Sequence, residues 1–137
     1  MAGYTDFYEN AVQNYLFRGV AMPALTDLFF ALFKTIPGED GTGGTEVTET
    51  GYARSQVARS TGNWKDPSTA TQGQCLNLVK IVWPVMNQAV AAAVVGIGAY
   101  DASASGNLLF TIDTNDITVD ALGQPYIEIN GMTVGLD

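Results

Sequence analysis

Between residues 7 and 18 the apolar side chains Tyr8, Val12, Tyr15 and Leu16 recur at helical spacing, which predicts an amphipathic helix with one apolar stripe. Asp6 stands at the capping position, and Glu9 follows three places on as in a capping box. Arg18 suits the negative end of such a helix, and Gly19 suits a left-handed stop. Beyond it the pattern changes to short apolar or alternating runs. Residues 26–34, 52–60, 76–83, 92–100 and 107–113 read as strands. Residues 37–51 carry glycines and acids and read as a loop. Asn130-Gly131 is the strongest two-residue hairpin signal in the chain, because both positions tolerate positive φ. That hairpin would set Ile129 opposite Met132, Glu128 opposite Thr133 and Ile127 opposite Val134, with apolar and polar pairs on separate faces. The fold class expected is mainly β: an antiparallel β-sandwich or barrel of about seven short strands with one short N-terminal α-helix. It forms a single domain over residues 1–137, with a helical arm at 1–19 and a β domain at 24–137 that includes the Gly-rich loop.

Composition narrows the function more than the fold. A chain of 137 residues supports one core. Apolar residues reach 47% and charged residues only 15%, so the chain is not of the disordered class. The net charge is −8, which speaks against nucleic acid and against an anionic membrane as partners. All six basic residues precede residue 81, and the chain from there onward carries acids alone. The start of the chain has no signal-peptide pattern. There is no His and one Cys, Cys75, which removes His-based triads, most metal sites and any internal disulfide. No cofactor is expected.

Near-matches to known chemistry fail on particular residues. The run from Gly38 to Thr45 looks like a phosphate loop, but Gly44 stands in place of the lysine and Glu39 and Asp40 would repel phosphate. Asp113, Asn115, Asp116 and Asp120 look like a calcium loop, but Thr118 and Gln124 occupy the positions that need Gly and Glu. The plainer reading there is a turn with Asn115-Asp116 at its tip. Cys75 lacks a basic neighbour closer than Lys80 and reads as a buried or incidental thiol. Trp64, Trp83 and the tyrosines could stack on sugars, but aromatics in a β domain more often fill a core or interface.

Several short motifs carry a family likeness. Thr5-Asp6-Phe7-Tyr8-Glu9-Asn10 with Tyr15-Leu16-Phe17-Arg18-Gly19 resembles the opening of small phage tail-fibre-like virion proteins. Pro37-Gly38-Glu39-Asp40-Gly41, Gly51-Tyr52-Ala53-Arg54, Asn63-Trp64, Gly96-Ile97 through Asp101-Ala102, Gly106-Asn107-Leu108-Leu109-Phe110 and the closing Gly131-Met132-Thr133-Val134-Gly135-Leu136-Asp137 are similar too. The resemblance implies a non-enzymatic bacteriophage virion component, fibre-associated or capsid-decorating, whose partners are other virion proteins and copies of itself. It would be assembled in the host cytoplasm. The alternative is a receptor- or glycan-binding module that recognises a host-surface glycan. The run from Asp27 to Phe33 is more apolar than the family pattern and the run from Ala89 to Val95 is smaller, which suggests an added contact or a rearranged core. The candidate interface residues are Phe7, Tyr8, Val12, Tyr15 and Leu16 on the helix and Glu39 and Asp40 on the loop.

Overall fold

A computed structural model of the chain describes residues 3–69 and 74–134. The order is β1 (Gly3–Tyr4), α1 (Asp6–Arg18), β2 (Asp27–Thr35), β3 (Thr45–Glu46), β4 (Ser55–Ala58), β5 (Cys75–Leu76), β6 (Ile81–Val82), β7 (Val94–Tyr100), β8 (Leu108–Ile117), β9 (Tyr126–Ile127) and β10 (Thr133–Val134). The expected mainly-β, antiparallel class with one N-terminal helix is the class observed.

One antiparallel sheet runs β1-β8-β7-β2-β3, and β4 also pairs with β2. Strand β2 lies at its centre. Its C-terminal half pairs with β3, its N-terminal half with β4, and its other edge with β7. This explains the apolar run at Asp27–Thr35. Phe30 and Leu32 join the main core on one face, while Ala31 and Phe33 pack with Leu108 and Tyr100 on the other. A strand covered on both faces cannot alternate polar and apolar residues. In the 89–95 run only Val90 and Val94 are buried; Ala89, Ala91 and Ala92 are exposed. Gly98 makes the second face possible, since a Cβ there would sit 2.6 Å from the Phe33 ring and 2.8 Å from the Leu108 side chain.

Over the main face lies a covering layer drawn from residues 59–69, 74–92 and 118–134. Its regular parts are two short two-stranded sheets, β5 with β10 and β6 with β9. Ile81, Trp83, Met86, Val90, Val119 and Met132 bring its apolar side chains into the same core as Phe30, Leu32, Ile97 and Leu109. Trp83 and Ser55 help to tie the layers. The Trp83 indole N–H donates to the Phe30 carbonyl at 2.9 Å, and the Ser55 hydroxyl donates to the Val82 carbonyl at 2.7 Å.

Several expectations are corrected. Asn130-Gly131 does not close a hairpin: β9 pairs with β6, and β10 pairs with β5. The tight turn lies one residue earlier, with the Gly131 N–H donating to the Glu128 carbonyl and Asn130 alone at positive φ. The fully buried Asn77 decides this. Its side-chain amide donates to the Val79 and Glu128 carbonyls, its side-chain oxygen accepts from the Met132 N–H, and its backbone oxygen accepts from the Asn130 N–H. The 76–83 run is two short strands around that residue. The 37–51 loop contains β3 and the buried Val47. Asn115-Asp116 lies inside β8 rather than at a turn tip, so Asp113, Asn115 and Asp116 belong to one extended strand. The closing residues 135–137 lie outside the described residues, as do the side chains of Thr133 and Val134.

Candidate functional site: an exposed helix end beside an aromatic groove

Helix α1 is fixed at its start. Gly3 and Tyr4 pair with Thr111 and Phe110 at the edge of β8. Thr5 is the N-cap, one residue before the expected Asp6, and makes no side-chain cap bond. Its hydroxyl turns instead to the Leu108 and Leu109 carbonyls. The Tyr8 ring stacks on Tyr4 at 5.1 Å, and Tyr4 meets Phe110 edge-on at 5.8 Å. The Asp6 N–H donates to the Glu39 carbonyl at 2.9 Å, so the Gly-rich loop abuts the first turn. The stop at Gly19 is left-handed as expected, with φ 66°.

The end of the helix is different. No residue of α1 is buried. Tyr15 is 58% exposed, Leu16 65% and Phe17 82%, and Val20 just past the stop is also exposed. Of the seven candidate residues, Phe7, Tyr15 and Leu16 are exposed, Tyr8 and Val12 are half-buried, and Glu39 and Asp40 are exposed on the adjoining loop. The Asp40 carboxylate accepts from the Thr42 N–H and hydroxyl, each at 2.9 Å. Those bonds, the backbone one first, hold its carboxyl below the usual carboxylate range, so Asp40 organises the loop itself. Phe17 was not in the apolar stripe and proves the most exposed of the helix aromatics. Its signal was a large apolar residue on the face that should be polar.

Beside the fixed end of α1 lies a groove of about 660 Å³. Tyr4, Tyr8, Leu28, Trp64 and Phe110 form its walls and floor, and Arg59 and Lys65 stand at its rim. Trp64 packs on Phe30, with ring centres 5.9 Å apart, and its indole N–H is buried with no hydrogen-bond partner among the described residues. Cys75 also borders the groove; burial pushes its thiol up, which keeps it protonated and poorly nucleophilic. Trp83 is core and cannot stack on a ligand.

A polar cluster on the main sheet is structural. The Glu46 carboxylate takes two bonds from the Arg54 guanidinium, at 2.9 and 2.8 Å, and one from the Tyr52 hydroxyl at 2.7 Å. Burial, with Glu46 beside it, pushes the Tyr52 hydroxyl well up. Burial opposes the charge on Arg54, but Glu46 outweighs it and raises the guanidinium further. Arg54 also lies 3.6 Å over the Tyr100 ring and donates to the Ala102 and Ser105 carbonyls. Glu46, Tyr52 and Arg54 thus hold one another in place at the sheet. Among the described residues there is no group of three or more potential metal ligands, and no helix is long and apolar enough to cross a membrane.

No curated protein matches the chain. A family model described as Podophage GP4 fiber I protein gp80 matches residues 3–134, and the chain belongs to that phage fibre family.

Proposed function

We propose, from that membership, that the chain is a non-enzymatic module of the phage particle that acts through protein–protein contacts in a symmetric assembly, and that the exposed end of α1 is its contact surface. The observation that supports this is the run Tyr15, Leu16 and Phe17, carried solvent-side on a helix whose base is pinned to the sheet. Single exposed apolar residues are ordinary on a protein surface, but three in succession with Val20 after them wrap the end of the helix in apolar surface, more than a lone residue presents. The sheet and its covering layer serve as the platform that holds it. Partners are other virion proteins and further copies of the chain, met in the host cytoplasm before the particle is complete. Repetition on a symmetric particle allows each contact to be modest.

The test is incorporation. Phage carrying Leu16→Ser together with Phe17→Ser should lose this chain from purified particles, as counted by quantitative peptide mass spectrometry, while the purified variant unfolds at the wild-type temperature. Normal copy number in those particles would sink the reading.

A further inference from the structure

The volume of the aromatic groove, about 660 Å³, falls in the range of roughly 300–1,000 Å³ that small-molecule sites span. We propose that the groove binds a carboxylated sugar, one or two rings of an acidic saccharide, with a ring face on the aromatic lining and the carboxylate at Arg59 and Lys65. This site is separate from the α1 contact and does not depend on it.

The cations point to an anion. Of the six basic residues in this acidic chain, Lys34, Arg54 and Lys80 are paired with carboxylates, and Arg18 bonds the Asn14 side chain. Arg59 and Lys65 have no carboxylate partner among the described residues, and both border this groove. The Arg59 guanidinium donates to the Leu25 carbonyl, while the Lys65 ammonium has no partner at all among the described residues. Asp66 is the one acid in the lining, and its carboxylate already accepts from the Ser68 N–H at 2.9 Å. A carboxylate on the ligand therefore meets two cations against one engaged acid.

The rest of the lining points to a sugar. Aromatic walls stand beside the exposed hydroxyls of Ser60 and Thr61, neither of which has a hydrogen-bond partner among the described residues. A sugar ring uses both kinds of surface, since its C–H face covers a ring and its hydroxyls meet the polar groups. A planar aromatic acid would leave those hydroxyls unused. The site is also built before any ligand arrives. The Ser60 carbonyl accepts from the Asn63 and Trp64 N–H groups, the Asn63 side chain donates to the Ala58 carbonyl, and the Lys65 N–H donates to the Leu76 carbonyl. Trp64 and Lys65 are thus held in place, which lowers the ordering cost of binding.

Isothermal titration calorimetry on the full-length protein at low ionic strength tests it. The acidic probes are trigalacturonate and sialyllactose, their neutral counterparts are galactotriose and lactose, and benzoate represents a planar aromatic acid. Wild type should bind at least one acidic sugar about tenfold or more tighter than its neutral counterpart, as one charge-assisted hydrogen bond provides. Lys65→Gln should weaken that binding about tenfold, and Lys65→Arg should keep most of it. Lys80→Gln removes a cation outside the groove lining and should leave the affinity unchanged. Melting temperatures confirm folding; should Lys65→Gln not fold, Arg59→Gln takes its place. Wild type that binds neither acidic sugar at millimolar concentration overturns the proposal. So does equal affinity for the acidic and neutral sugars, or a loss with Lys80→Gln as large as with Lys65→Gln, which would mean diffuse charge attraction. Binding of benzoate without the sugars would assign the groove to an aromatic acid and overturn it too.

Discussion

The main sheet and the layer that covers it are held in opposite ways. In the sheet, β2, β7 and β8 share long ladders, and no single side chain decides the pairing. In the covering layer the strands are two residues each, and their placement depends on a few polar groups: buried Asn77 for the 128–132 turn, buried Trp83 and Ser55 for the seam, and the half-buried Glu49 for the entry. Distributed backbone pairing tolerates the loss of any one contact. A hub does not, because removing it strands several buried donors and acceptors at once.

The sharpest break in that contrast is at Asn77. Asn77→Ala leaves the Val79 and Glu128 carbonyls and the Met132 N–H without the side-chain partner, and should destabilise the protein by about 3 kcal/mol or more. Ile97→Val in β7 should cost only about 1 kcal/mol. Urea unfolding of both variants checks the ordering, and equal losses would show that the two regions do not differ.

A smaller effect separates them by pH. The Glu49 carboxylate accepts from the Lys34 ammonium in β2 at 2.9 Å and from the Ala91 N–H at 3.0 Å, and so joins the sheet to the covering layer. The Lys34 bond first, then the Ala91 bond, holds its carboxyl down to about 2. A depressed carboxylate contributes stability that is present above the unfolded-state pKa and lost as pH falls through the folded one. The melting temperature should therefore drop between about pH 4.5 and about pH 2. Glu49→Gln should start lower and fall less over that window; an unchanged slope would remove Glu49 as the cause.

The smallest effect should be a gain. Leu122 is exposed at φ 65°, in the turn where the Gly123 N–H donates to the Asp120 carbonyl. A left-handed leucine costs about 1 kcal/mol. Leu122→Gly should raise stability by up to that amount, read from the same urea curves, and a loss would mean the side chain packs in a way its exposure hides.

The same contrast decides what could be read from the chain. β2, β4 and β7 follow patterns that span several residues, and the structure places strands on those runs, while β8 starts on its apolar run but continues through Asn115-Asp116 to Ile117, past the expected turn. The covering layer was misread where one side chain overrules local pattern. The 126–134 segment has a good hairpin register, yet Asn77, some fifty residues away, captures Asn130 and Met132 and sends the two strands to different partners. The proposed contact surface and the groove beside it were only partly legible. Helical period found Tyr15 and Leu16, but Phe17 lies off the stripe, and the groove needs Tyr4, Trp64 and Phe110, which meet only in the fold.

The pinned base of α1 also makes the helix a lever. Its 13 residues span about 20 Å, with the fulcrum at the Thr5 hydroxyl and the Tyr4–Tyr8 stack. A tilt of about ten degrees at that fulcrum carries the tip by about 3 Å, close to the width of one hydrogen bond. The direction in which the exposed Phe17 ring points is therefore set at Thr5, at the opposite end of the helix.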